Sequence, residues 1–281
     1  MTDATRRAAI AERAARAGGV VAREAFRGDF TVETKANKND LVTDADVDAQ
    51  RQVLATIRQE FPNDTVVCEE DADPLELPAA DDLEVASTVP DAGSAWVVDP
   101  IDGTANFVRG MRFWGTSVAA VVDGQPVGVA TYMPAEGDAY TAGPESVSRD
   151  GDPMAVSERG DPETFAVGLI GWWPTRASDR YAQVFRAAAE RFGDFRRLGC
   201  MQGVLALVAD GALEAAFMPN QPHPWDAIAG VHLIRRAGGV ATDLDGDPWT
   251  RESAGLVVSN GEAHDEVLAV AREGANVETA D

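Results

Sequence analysis

Short β-branched runs alternate with amphipathic stretches along most of this chain, and that alternation is what most narrows the folds open to it. In the second half, residues 165–170 predict a strand, 177–192 a helix, 195–198 a strand, 201–209 a helix and 212–218 a strand. Residues 225–237 predict a further helix closed by Gly238-Gly239, then a strand at 256–259 and a last helix at 262–272. The first half opens on an amphipathic helix at 4–26. A second, at 44–61, carries Val47, Leu54 and Ile57 on one face and stops at Pro62-Asn63. Residues 65–68 form a short strand, and 95–98 a buried strand that ends at Asp99. Apolar runs at 117–122 and 126–132 flank Asp123-Gly124, the signal of a tight hairpin.

Helices interleaved with strands imply layered α/β packing. The 281 residues allow one compact unit with two halves. The expected division is an α+β half over 1–143 and an α/β half over 144–281. Residues 71–93 are polar, acidic and proline-containing, so an exposed excursion is expected there. A frayed tail is expected over 274–281.

No apolar run approaches the roughly 20 residues that span a bilayer, and the N-terminus lacks the apolar core of a signal peptide. A cytoplasmic protein without membrane contact is expected. The two cysteines, Cys68 and Cys200, are too few for a disulfide framework. The formal net charge is −23, and the only lysines are Lys35 and Lys38. Such a surface repels itself, which concentrated salt relieves by shrinking the Debye length to about 3 Å at 1 M. The acidity is spread along the chain, so it reads as adaptation to a salt-rich cytoplasm rather than as a docking block. It also disfavours nucleic acid as a partner.

The chemistry concentrates in Asp99-Pro100-Ile101-Asp102-Gly103-Thr104-Ala105-Asn106-Phe107. Two carboxylates three residues apart, just past a buried strand, suit a hard cation such as Mg²⁺. Gly103 lets the backbone approach a ligand closely, and the amides after Asp102 open a short helix that favours an anion. Glu69 and Glu70 follow another strand. Being adjacent they point apart, so at most one faces the same site. Asp226 lies at the start of the helix at 225–237, and Thr43-x-x-Asp46 has the form of a capping box. Each of these acids has an ordinary structural role when taken alone.

Together, Glu69-Glu70, the Asp99–Phe107 stretch and Trp225-Asp226-Ala227-Ile228-Ala229-Gly230 resemble the signatures of the inositol monophosphatase family, in the family's order. Lys35, Asp40-Leu41-Val42-Thr43-x-x-Asp46 and Gly238-Gly239-Val240-x-Thr242-Asp243 are similar to its first and last motifs. The resemblance implies the alternating α-β-α-β-α sandwich of the sugar phosphatases, two or three Mg²⁺ ions, a small phosphorylated sugar or polyol as substrate, and a homodimer. It implies that Glu69, Asp99 and the Ile101 carbonyl hold one ion, and that Asp99, Asp102 and Asp226 hold a second. Gly103 and Thr104 amides would bind phosphate, with Asp102, Gly199 and Asp226 along the substrate. Thr104, bonded to Asp46, would help to deprotonate the attacking water, and Glu69 would assist. Two such ions can stabilise the entering and leaving oxygens together.

The chain departs from the family at Gly199-Cys200-Met201-Gln202, which is bulkier than usual. It departs again at Met218, where many members carry a glutamate for substrate hydroxyls. That points away from inositol phosphate, because a site lacking a hydroxyl's partner discriminates poorly for it. Arg196 and Arg197 could instead meet a second anion, as a fructose 1,6-bisphosphate would present. Lys35, Glu70, Arg197 and Met218 are accessory candidates. The rival reading is a catalytically idle relative that binds phosphate ligands or partners. Asp243-x-Asp245-Gly246-Asp247 hints at a calcium loop, but its glycine falls too early and a hairpin turn is expected.

Overall fold

The computed structural model describes residues 2–35, 41–70, 84–171 and 178–275. Helices α1 (Asp3–Ala25) and α2 (Asp44–Arg58) place Ile10, Ala14, Val53, Leu54 and Ile57 on shared faces. Those faces cover one side of a seven-stranded sheet. Its strands are β3 (Thr65–Cys68), β4 (Ser94–Asp102), β5 (Gly115–Val122), β6 (Gln125–Met133), β7 (Asp138–Ala142), β8 (Val147–Arg149) and β9 (Asp152–Pro153), side by side in that order. Only β3 and β4 run parallel; the rest is an antiparallel meander. A two-stranded ribbon, β1 (Val32–Thr34) and β2 (Leu41–Thr43), precedes α2.

Alternation along β4 sends Trp96 and Val98 toward α1 and α2, and Val97 to the opposite face. On that opposite face lie α5 (Met201–Ala209) and α6 (Pro224–Arg236), through Val204, Leu205, Val231 and Ile234. The same helices cover a second sheet, ordered β11-β10-β12-β14-β13. Here β10 is Ala166–Leu169, β11 Asp194–Arg196, β12 Ala215–Met218, β13 Val240–Thr242 and β14 Leu256–Ser259. Helices α4 (Ser178–Arg191) and α7 (His264–Ala275) close its outer face around Phe165, Phe217, Val184 and Val267. The layers are therefore helix, sheet, helix, sheet, helix, as expected. No helix among the described residues is long and apolar enough to cross a membrane.

Three local differences from the sequence-based expectation have physical causes. The strand expected to end at Asp99 continues to Asp102, with a register shift between those residues. Pro100 has no N–H for the ladder, and the extra residue bulges there, with Thr116 Oγ1 donating to the Pro100 carbonyl at 2.7 Å. The helix expected to reach residue 61 stops at Arg58, freeing Phe61 to pack on Trp96 at 5.5 Å. The first sheet extends beyond residue 143 through β8 and β9, so the second sheet begins only at Ala166. The Asp123-Gly124 turn is as expected, with φ of 49° and 73°, the left-handed pair of a type I′ hairpin. The acidic loop after β13 is a hairpin too: Asp243 Oδ1 accepts from the amides of Asp245 and Asp247, and Thr242 bridges Pro248. Of the expected excursion at 71–93, residues 71–83 lie outside the described residues, as do Asp40 and 276–281 of the tail.

Helices α5 and α6 cross closely at Gly230. A Cβ there would sit 2.4 Å from the Leu205 Cβ and 2.9 Å from Gln202 Oε1. Gln202 leaves no room to yield, since Oε1 accepts from the Gly230 amide at 2.8 Å and Nε2 donates to the Trp225 carbonyl at 2.6 Å. Gly230→Ala should therefore destabilise the protein by about 1–3 kcal/mol, read from the midpoint of urea unfolding at constant m. An unchanged midpoint would show that the crossing can relax.

Candidate metal and phosphate site

The bulge in β4 decides where the acids point. Residues three apart on a regular strand face opposite sides, so Asp99 and Asp102 would be separated by the sheet. One extra residue cancels that half-step and turns both carboxylates the same way. Asp226, in the first turn of α6, meets them from the second half of the chain. One carboxylate oxygen from each of Asp99, Asp102 and Asp226 lies within 4.8 Å of the others. The convergence expected from the sequence is present.

The three acids are held differently. Asp102 is braced by α5: the Met201 amide donates to Oδ1 at 3.0 Å, and the Gln202 amide and the Cys200 thiol donate to Oδ2 at 2.5 and 3.0 Å. Asp99 is 1% exposed, and among the described residues neither of its oxygens has a hydrogen-bond donor, while the Glu69 carboxyl lies against it. Burial first, then the nearby Glu69, Asp102 and Asp226 carboxylates, pushes the Asp99 carboxyl well above the usual range. Burial raises Asp102 and Asp226 as well. A carboxylate with two orphaned oxygens, among two others, is the donor set a hard divalent cation takes.

Glu69 leaves the end of β3 with its amide donating to the Val98 carbonyl at 3.1 Å, which brings it beside β4. It lines the cavity. Glu70 does not: Gln50 clamps its backbone from both sides, and its side chain is buried. Lys35 Nζ reaches both acids, at 3.1 Å to Glu69 and 2.6 Å to Glu70. Burial pulls the ammonium down, but the two carboxylates outweigh it and hold Lys35 charged.

After Asp102 the chain turns through Gly103, at φ 90°, into the single-turn helix α3 (Thr104–Val108). A Cβ at Gly103 would come 3.0 Å from the Cys200 Cβ and 3.1 Å from the Gly199 carbonyl, so only glycine lets the two halves close here. The Thr104 hydroxyl donates to the Ile101 carbonyl at 3.0 Å and faces Asp46 Oδ1 at 3.3 Å. Asp46 completes the expected capping box, taking the amide and hydroxyl of Thr43 on Oδ2 at 2.8 and 2.5 Å. Fully buried, its carboxyl is pushed up to about 7, chiefly by desolvation and then by Glu70 and Glu69 against the Thr43 bonds.

These groups surround a cavity of about 460 Å³, also lined by Leu41, Arg109, Leu169, Ile170, Gly171 and Arg197. Asn106 ties its two sides, donating to the Phe113 and Leu198 carbonyls at 2.7 Å each. Gly199, at φ 78°, packs its backbone on that amide. Arg196 lies outside, paired with Asp194. Met218 is where the expectation needs correcting. It is 5% exposed, inside the core, beneath Gly171; a Cβ on Gly171 would meet its Cε at 2.4 Å. The cavity wall at that point is Gly171 backbone, because the β12 side chain points into the helix layer. Arg109 is a wall residue that the sequence reading passed over. Its position ten residues past Asp99, just beyond a one-turn helix, was the available signal. His223 is exposed and stacks on Trp225.

The model of the inositol monophosphatase family matches residues 3–276. The chain is 30% identical over 243 residues to a protein of Thermotoga maritima named fructose-1,6-bisphosphatase/inositol-1-monophosphatase, covering 86% of each chain. It is 29% identical over 256 residues to the Nus factor SuhB of Escherichia coli, covering 89% of this chain and 90% of the other. A solved inositol monophosphatase of Thermotoga maritima superposes with a TM-score of 0.81 at 27% identity, covering 93% of this chain and 95% of that one.

Proposed function

Because the chain belongs to the inositol monophosphatase family, we propose that it hydrolyses small sugar or polyol phosphates with Mg²⁺, and that a bisphosphate such as fructose 1,6-bisphosphate is preferred over inositol 1-phosphate. The observation that carries the reading is Asp99, buried with both oxygens free of donors among the described residues and close to Asp102 and Asp226. Glu69, Asp99 and the Ile101 carbonyl would hold one ion, and Asp99, Asp102 and Asp226 a second. Divalent ions bound there supply the charge that activates a water and offsets the phosphoryl oxygens.

The chain's own groups do the rest. The amides of Gly103 and Thr104 receive phosphate oxygens, and the left-handed turn at Gly103 leaves room for them. Thr104 orients the attacking water. Its proton has two acceptors, Ile101 and Asp46; with the carbonyl engaged elsewhere, Asp46 takes it. Asn106 keeps the phosphate turn and Gly199 at a set separation. Positioning and charge compensation suffice for phosphoryl transfer to water, so no covalent nucleophile is needed.

The substrate preference rests on the far wall. Arg109 and Arg197 both line the cavity, and neither forms an ion pair among the described residues, in a chain where acids outnumber Lys and Arg by 47 to 24. Unpaired guanidinium groups beside a phosphate pocket suit a second phosphoryl group. The Thermotoga relative is named for both substrates, which supports activity on the bisphosphate without ranking the two. The rival reading, a partner-binding module without turnover, draws on the Nus factor name that the Escherichia coli relative and others carry.

The test is inorganic phosphate release from both substrates in molar KCl, with Mg²⁺ and then with chelator. Arg109→Gln and Arg197→Gln should each raise KM for the bisphosphate by about tenfold, the worth of one charge-assisted bond at a partly exposed site, and move inositol 1-phosphate less than twofold. Equal shifts for both substrates would remove the second-anion subsite. No release from either, with Mg²⁺ present, would favour the binding module.

A further inference from the structure

We infer that Cys200 is a positioning residue whose thiol, acting through Asp102, sets the affinity of the cavity for its divalent cation; the inference rests on the metal-site reading above. Cys200 is the N-cap of α5 and is 2% exposed. Its Sγ donates to Asp102 Oδ2 at 3.0 Å, the same oxygen that receives the Gln202 amide, while Oδ1 receives the Met201 amide. The two amides belong to the helix frame and move only with it. Among the described residues the thiol is the one side-chain donor on this carboxylate, so it is the contact that can hold the rotation presenting Asp102 to Asp99 and Asp226 independently of the helix frame.

The surroundings hold the thiol in that direction. A Cβ at Gly203 would lie 2.8 Å from Sγ, and a Cβ at Gly103 would lie 3.0 Å from the Cys200 Cβ. Both neighbours are glycine, so the side chain fills a slot between the phosphate turn and the first turn of α5. A carboxylate oxygen only accepts, so in the Sγ–Oδ2 contact at 3.0 Å the thiol is the donor. Among the described residues Asp99 receives no donor, whereas Asp102 is held by three.

The experiment is direct Mn²⁺ binding, by electron paramagnetic resonance titration of the free ion, on the parent chain, Cys200→Ala and Cys200→Ser. The full-length protein is used in molar KCl without substrate. Losing one donor to a buried charge should weaken Mn²⁺ binding about five- to tenfold in Cys200→Ala. Cys200→Ser, which restores a donor, should return to within about twofold of the parent. At saturating Mg²⁺ the kcat of Cys200→Ala should approach that of the parent, with the loss confined to the metal-activation constant. Parent-like Mn²⁺ affinity in Cys200→Ala would overturn the positioning role and leave the metal site standing. Equal weakening in the alanine and serine variants would reduce Cys200 to packing. A parent chain that binds no Mn²⁺ would remove the metal reading itself, and this inference with it.

Discussion

Asp99→Asn should lower kcat/KM by at least about a thousandfold, the rate equivalent of losing several kcal/mol of charge stabilisation. Asp99 is the carboxylate that both proposed ion positions share. The amide is isosteric, so the buried position is filled as before. It replaces one anionic oxygen by an NH₂ donor among carboxylates, which repels a cation and satisfies the neighbouring acids. Fold and function should therefore separate. The raised folded values of Asp99, Asp102 and Asp226 mean that their stabilising contribution is full below about pH 4, the unfolded carboxylate range, and is lost as pH rises through those values. At pH 8, without metal, the parent carries repulsion that the Asn variant lacks. Urea unfolding should find the metal-free variant at least as stable as the parent, and divalent ions should stabilise only the parent. Near-normal turnover in Asp99→Asn would sink the metal assignment.

The second large effect concerns Thr104 and Asp46. Thr104→Ala should cost about 100- to 10,000-fold in kcat, the range for a positioned proton-transfer group, with Mn²⁺ affinity close to that of the parent. Asp46→Asn should cost a similar factor, because the amide cannot accept the Thr104 proton as a base. The pH dependence gives an independent check. With its carboxyl at about 7, Asp46 is protonated below that pH and unable to act, so kcat/KM of the parent should rise with pH through a limb near 7. Asp46→Asn should flatten that limb. A limb that survives the substitution would assign it to another group and withdraw Asp46 from the proton path. The sign for stability is opposite. A raised folded value makes the Asp46 contribution full below about pH 4 and progressively lost toward 7, so the pH that activates the group also loosens its site.

Much of this site was readable residue by residue. The Asp99-x-x-Asp102-Gly103-Thr104 spacing, the strand before it and the Trp225-Asp226 helix start all carried local signals, because capping, turn and ligand chemistry depend on neighbours in the chain. The adjacent glutamates behaved as adjacency dictates, one facing the cavity and one turned to Gln50 and Lys35. Other elements gave no such signal. Asp150-Gly151 adopts the same left-handed pair as Asp123-Gly124. Its flanks, Val147–Arg149 and Asp152–Pro153, are three and two residues long and carry one apolar core contact, Val147, so they lack the alternation that marks a hairpin in sequence. Met218 misled for another reason: its position in a family pattern suggested the cavity, while the register of β12 against β14 turns it into the helix layer.

Side-chain order along the chain determined the layered architecture, the helix that caps on Asp46, the Asp-Gly turn and the identity of the acids, because each depends on periodicities of two or 3.6 residues or on contacts within one turn. Tertiary structure alone decided which oxygens share a space. The bulge at Pro100 turns Asp102 to the side of Asp99, the α5 terminus and Cys200 brace it, and Arg109 and Arg197 line one cavity formed by both halves. The last two join positions about a hundred residues apart, and Coulomb and hydrogen-bond energies depend on distances in space that no local pattern encodes.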